Sequence, residues 1–364
     1  MKRLAILTGG GDAPGLNAVI RAAVKTTVLQ YQGEMLGIRD GYDGFIDEQG
    51  VIPLDLDAVR GILPRGGTIL GAANRGNPFA RKVMRDGKEV VEDVTGQLID
   101  AIRHFQVDGL IVVGGDGTLR IAQELYQMGV PVVGVPKTID NDIGGTDFTF
   151  GFDTALNIAT EAIDRLHTTA ESHHRAMVLE LMGREAGFIS LYAGLAGGAD
   201  VILIPEIPFR YQAVYAKVRQ RMEGGAHFSI LAVAEGAHAK GEAPLYTLPG
   251  DTVYVPRLGG IGAAVAERVA QTCRVETRVT VLGHLQRGGS PTAFDRWLAS
   301  RFGAAAVRLA MEGKFGQMVS LQGDAIVDVP LEQALAKPKR VDLAGDAVEA
   351  VRGLGISLGD ESTG

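Results

Sequence analysis

A single cysteine, Cys273, stands among 364 residues. It cannot close an intrachain disulfide, which suits a reducing compartment. No apolar run approaches the roughly 18 residues that a membrane helix needs. The apolar stretch after Lys2 and Arg3 is too short for a secretory signal. Net charge is −7 at neutral pH, so a broad basic face for nucleic acid is not expected. The one dense basic run, Lys337, Lys339 and Arg340, reads as solvated surface. Several signatures are missing too: no H-E-x-x-H, no cysteine pair for zinc, and no G-x-S-x-G elbow. These absences predict a cytoplasmic protein with no membrane and no nucleic-acid partner.

Hydrophobic residues make up 46% of the chain, an ordinary globular share that is ample for a core. Glycine is the outlier: the chain has 50, about twice the usual share of roughly 7%. Many fall in pairs or triplets without a collagen period, which predicts turns where backbone approaches a ligand closely. Short apolar runs alternate with amphipathic stretches. Strands are expected at 4–7, 110–113 and 130–135, with helices from Leu16, around Leu98 to Phe105, and at 119–128. The pattern restarts after Gly151, with a helix at 154–168, strands at 177–182, 201–204, 230–234 and 278–282, and helices at 211–222 and 259–271. This β-α-β order predicts two α/β domains with parallel sheets. Trp297 and Phe302 are expected in a helix core.

Three strand-to-helix turns carry chemistry. Gly9-Gly10-Gly11-Asp12-Ala13-Pro14-Gly15 offers successive backbone N–H groups and a helix start, an anion site. It is neither a Walker A loop nor a clean G-x-G-x-x-G; a plain tight turn is the alternative. Gly114-Gly115-Asp116-Gly117-Thr118 repeats the setting. Its glycines allow close approach to phosphate oxygens, and Asp116 can hold Mg²⁺ beside them. A lone Asp there could equally be a helix cap. Lys137-Thr138-Ile139-Asp140-Asn141-Asp142 follows one β-α-β step later, which brings it to the same sheet edge. One of its carboxylates can act as base while another helps with metal.

Arg175, Arg184, Arg278 and Arg287 cluster at strand ends in the second half. Arginine suits multidentate phosphate recognition. With His284 and the glycine turns around it, they read as a site for a phosphorylated substrate. Glu235, after a strand, can accept sugar hydroxyls.

The segments LTGGGDAPGLNAVIR, GGDGT, PKTIDND, MGREAG and LGHLQRGGSPTAFDR occur in an order that resembles the phosphofructokinase family across residues 3–310. The resemblance implies two Rossmann-like α/β domains with largely parallel sheets and the active site in the cleft between them. It places the nucleotide or phosphoryl-donor domain at 1–151 plus about 286–335. The fructose 6-phosphate domain would be 152–285 plus about 336–364. It implies Mg-ATP-dependent phosphorylation of fructose 6-phosphate to the 1,6-bisphosphate in glycolysis. Asp140 matches the family's general base and Thr138 its neighbour at the transferred group. Asp116 and Asp142 match the carboxylates serving Mg²⁺, and Gly11 the turn that faces the phosphoryl group. Gly115, Gly117, Thr118 and Lys137 belong to the donor set. Arg75 joins them, one place later than the family's GGTxLG turn would put it. Met182, Gly183, Arg184, Glu235, His284 and Arg287 match the sugar-phosphate site. Arg175 and Arg278 match residues reaching in from a neighbouring subunit, implying a homo-oligomer, a tetramer or dimer with shared active sites. Pyrophosphate-using relatives carry Asp at the position of Gly117 and Lys at that of Lys137, whereas many ATP-using ones carry Gly at both. Glycine at 117 leaves room for an α-phosphate, so ATP is the expected donor and pyrophosphate the alternative. Another sugar phosphate is the alternative acceptor.

Overall fold

The apolar runs become buried strands and the amphipathic stretches become the helices that cover them. The computed structural model describes residues 2–47, 49–72, 76–85, 88–248 and 257–361. The chain divides into two compact units, Met1–Thr154 with Arg287–Pro338 and Ala155–Gln286 with Lys339–Gly364.

The first unit holds an eight-stranded sheet. Its central four strands, Glu34–Ile38, Arg3–Thr8, Gly109–Gly114 and Val132–Thr138, run parallel in that spatial order. The pair Gln317–Gln322 and Ala325–Pro330 extends one side, and Val51–Pro53 closes the other antiparallel. Continuous Leu, Ile and Val runs are what a sheet covered on both faces requires. Every residue of Gly109–Gly114 and Val132–Thr138 is buried. From Arg3–Thr8 the chain passes to one neighbour, and from Gly109–Gly114 to the neighbour on the opposite side. The order therefore reverses between these two strands, which is where open α/β sheets bind ligands, at their carboxyl ends.

The second unit carries four parallel strands in the order Val201–Leu203, Ser229–Ala234, Ala176–Leu181, Thr277–Val281. The C-terminal segment covers its outer edge: Ser357 N donates to Asp200 O and Ser357 O accepts from Ile202 N. A short antiparallel hairpin, Arg81–Arg85 with Lys88–Glu92, has no counterpart in the expected pattern. Among the described residues no helix is long and apolar enough to cross a membrane.

The expected core position of Trp297 is wrong. In the helix Ala293–Glu312, Leu298, Phe302, Ala305 and Leu309 face the core, and Phe302 is fully buried. Trp297 falls on the outward face and is 48% exposed, with the Arg301 guanidinium lying over its ring at 4.2 Å.

Candidate active site

Strand register sets the geometry of the first unit's site. Thr8 pairs with Val113, Val113 with Val135, and Gly114 with Pro136. The three turns that follow are therefore level along one carboxyl edge. Gly9 N donates to Val113 O at 2.9 Å, joining the first two. Thr118 packs between them: a Cβ on Gly9 would stand 2.6 Å from its Cγ2, and one on Gly114 would stand 2.4 Å from its Cβ. Those two glycines are required by contact. Gly10 is required by its backbone, at φ 74°.

Asp116 and Gly117 open the helix Asp116–Gln127, and Asp116 pairs with Arg120 at 2.8 Å. Nothing lies within 4 Å of where a Gly117 Cβ would be. Lys137 is a buried lysine whose ammonium donates to Gly11 O, placing a cation beneath the first turn. Arg287 donates to Asp12 O at 3.1 Å, beside Gly11. Gly11, Lys137 and Arg287 are thus brought together, so Arg287, expected among the sugar-binding residues, stands against the Gly9–Gly15 turn.

Asp140 is 3% exposed, and its backbone N–H donates to Thr138 Oγ1 at 3.0 Å. The turn is secured from behind. Thr149 Oγ1 donates to Thr138 O at 2.8 Å, and Thr149 N donates to Asn141 Oδ1 at 3.1 Å. Asn141 is in the left-handed region at φ 53°, which its short amide tolerates. Asp142 is partly buried on the same turn. Among the described residues no group of three or more metal-ligating side chains occurs. A cation held here would take one or two carboxylates and the rest of its ligands from phosphates and water, the usual arrangement for Mg²⁺. Asp116 and Asp142 fit that role. Arg75 lies outside the described residues.

The second unit repeats the logic. Ala234 pairs with Leu181 and Val281 with Glu180. Met182 to Arg184, Glu235 and the Gly283–Arg287 turn therefore share one carboxyl edge. Arg184 N donates to Glu235 Oε1 at 3.1 Å, and Met182 N to Gln286 Oε1 at 2.9 Å. Gly183 adopts φ 146° and Arg184 φ 52°, turning the segment sharply after the strand. His284 sits in the Gly283–Arg287 turn.

Arg175 and Arg278 are not with this set. They lie at the amino ends of the same strands, where Arg278 pairs in register with Met177. Strands of this length separate the two edges by roughly 15–20 Å. Glu276 holds both guanidiniums, Arg175 at 3.0 Å, and they keep its carboxyl below the usual range.

Three supporting residues escape sequence reasoning. Asn17 lies on the buried face of the helix Leu16–Lys25 and fastens the 65–69 segment through Arg65 O, Gly66 O and Ile69 N. Tyr42 donates to Thr118 O at 2.9 Å; burial pushes its phenol well up, so it stays a neutral donor. Gln286 is fully buried behind Met182. Only Asn17 leaves a signal, an amide on an otherwise apolar helix face.

The family model described as Phosphofructokinase matches residues 3–310. The chain belongs to the phosphofructokinase family. It is 52% identical over 361 residues to an ATP-dependent 6-phosphofructokinase of Chloroflexus aurantiacus, covering 99% of this chain and 98% of that one. It is also 51% identical over 344 residues to a pyrophosphate–fructose 6-phosphate 1-phosphotransferase of Streptomyces coelicolor, covering 94% and 97%. Among solved structures, Pichia pastoris phosphofructokinase in the T-state superposes with a TM-score of 0.79 at 33% identity, over 92% of this chain and 35% of that longer one. The parallel-sheet units described above are those of the phosphofructokinase fold.

Proposed function

We propose that this chain is an ATP-dependent 6-phosphofructokinase, transferring the terminal phosphoryl group of ATP to the 1-hydroxyl of fructose 6-phosphate in the cytoplasm. The observation that carries the reading is the levelling of the Gly9–Gly15, Gly114–Thr118 and Lys137–Asp142 turns at the sheet's reversal point, with Asp140 buried among them. Phosphoryl transfer asks for positioning and charge neutralisation more than covalent chemistry. The turn N–H groups around Gly11, the Lys137 ammonium and Arg287 supply neutralisation on the donor side. Asp140 accepts the proton of the attacking hydroxyl. Thr138 fixes the angle of that turn through the Asp140 N–H. Mg²⁺ held by Asp116 and Asp142 would screen charge on the phosphates. Met182, Gly183, Arg184, Glu235 and His284 hold the sugar phosphate, while Gly115, Thr118 and Arg75 complete the donor set. Arg175 and Arg278, at the far edge, serve the site of a neighbouring subunit in a homo-oligomer.

Relatives at 52% and 51% identity use different donors, so overall similarity does not choose between them. Gly117 favours ATP. A side chain there would occupy open space at the mouth of the donor turn, and a carboxylate would repel an α-phosphate passing through it. Lys137 is compatible with either donor. The test is a donor assay with fructose 6-phosphate and Mg²⁺. ATP should support turnover with release of ADP. Turnover with pyrophosphate and none with ATP would overturn the reading.

A further inference from the structure

Asn17 is a polar side chain in an apolar place. It lies in the first turn of the helix Leu16–Lys25 beside Leu16, Ala18, Val19 and Ile20, and is 1% exposed. A buried amide is costly unless its donors and acceptor are used. Here they are used, and none of the bonds returns to the helix itself. Nδ2 donates to Arg65 O and Gly66 O at 3.1 and 3.2 Å, and Oδ1 accepts from Ile69 N at 2.8 Å. The side chain thus stands in for a backbone partner to a segment that forms neither helix nor strand.

That segment, residues 64–71, stands where the first two strands end. Thr8, the last residue of Arg3–Thr8, donates through Oγ1 to Gly71 O at 2.7 Å and lies 3.0 Å from Thr68 Oγ1. Asp40, two residues beyond Glu34–Ile38, donates its N–H to Leu70 O at 2.8 Å. Ser290 Oγ donates to Pro64 O, and a side chain on Gly66 would collide with Gly289 O. Gly67, at φ 64°, faces open space, with nothing within 4 Å of where its Cβ would be. The Gly9–Gly15 turn runs from Thr8 to the start of the helix that carries Asn17, so the segment is fastened at both ends of the turn.

We propose that Asn17 is a positioning residue for the phosphoryl donor, locking the 65–69 backbone against the Gly9–Gly15 turn before the donor arrives. The inference rests on the reading of that turn as the donor site. A segment with no ladder of its own is ordered only by its anchors. Without them the donor would have to order it on binding, and the lost entropy would weaken affinity. Preorganisation of this kind acts alike on the bound donor and on the transition state. Its loss therefore raises the KM for the donor and spares kcat. Met182 to Arg184, Glu235 and His284 belong to the other unit, so the KM for fructose 6-phosphate should hold.

The test is steady-state kinetics of the full-length enzyme, with each substrate varied in turn. Asn17→Asp keeps the size and the acceptor for Ile69 N but loses both donated bonds, and Asn17→Ala loses all three. In each, the KM for ATP should rise at least about tenfold, with kcat and the KM for fructose 6-phosphate within about threefold of wild type. Thr68→Val frees the same segment from Thr8 without touching the helix, and should raise the KM for ATP in the same way. Thr68→Ser keeps the hydroxyl and should restore it. An unchanged KM for ATP in a folded Asn17 variant overturns the proposal. So does a general loss that moves both KM values and kcat together. If neither Asn17 variant folds, an unchanged KM for ATP in Thr68→Val overturns it. A wild-type enzyme that uses pyrophosphate and not ATP would overturn the proposed donor instead, and the KM for pyrophosphate then takes the place of that for ATP.

Discussion

Arg287 fills the space that a side chain on Gly11 would need: a Cβ there would stand 2.9 Å from its Nη1. The glycine lets an arginine from a distant stretch of sequence lie against the Gly9–Gly15 turn, where it is fixed by Asp12 O. Gly11→Ala should therefore push the guanidinium aside. The arginine is flexible, so the fold should change little. Turnover should suffer, with kcat/KM falling about tenfold or more, since a decade corresponds to about 1.4 kcal/mol. A melting temperature within a few degrees of wild type, with kcat/KM also unchanged, would mean that Arg287 is not used there.

Gly117→Asp separates donor choice from folding, because the added side chain meets nothing within 4 Å. A like-charge pair at ~4 Å costs ~1 kcal/mol in water and ~4 kcal/mol at an effective dielectric of 20. The kcat/KM for ATP should fall at least about tenfold, with fructose 6-phosphate binding little altered. Pyrophosphate lacks the nucleoside and should suffer less. Unchanged ATP kinetics would remove the reason for preferring ATP.

The placement of Arg175 and Arg278 at the opposite edge from Arg184 predicts complementation between chains. An Arg278→Ala chain and an Asp140→Asn chain should each be nearly inactive alone. Mixed oligomers should recover activity, because some sites then combine an intact base with an intact arginine. No recovery in demonstrably mixed oligomers would place the whole site in one chain.

Asp295 predicts a pH effect on stability. It is fully buried, and its Oδ2 accepts from Thr154 N at 2.8 Å and from Thr154 Oγ1 at 2.5 Å. Burial outweighs those hydrogen bonds and pushes its carboxyl up to about 6, with Asp153 adding repulsion. The folded state thus holds this proton more tightly than the unfolded state does. Its stabilising contribution is present below about pH 4 and is lost as pH rises through about 6, by up to about 3 kcal/mol. Asp295→Asn should flatten that part of the melting-temperature profile. A profile with the same slope between pH 4 and 6 in the variant would contradict this.

The alternation of strands and helices was legible because both periods are strong and the strands are buried on both faces, as at 110–113 and 132–135. Register could not be read, and register is what levels Asp116 with Asp140, and Met182 with Glu235. Motif residues stood out where glycine spacing was forced by contact, as at Gly9 and Gly114. Partners were hidden where the sequence separation is long. Nothing in the local pattern tells that Glu276 reaches Arg175, or that Tyr42 reaches Thr118. Trp297 was misplaced because hydrophobic character alone does not say which side of a helix turns outward. Its neighbour Leu298 takes the core position.

The role of Asp140 is the central claim, and Asp140→Asn tests it most directly. The amide keeps the size and the buried turn but cannot accept the hydroxyl proton. With ATP, Mg²⁺ and fructose 6-phosphate, kcat should fall by about 10²–10⁴-fold, while the Kd for fructose 6-phosphate stays within a few-fold of wild type. A kcat within a few-fold of wild type would show that the proton goes elsewhere.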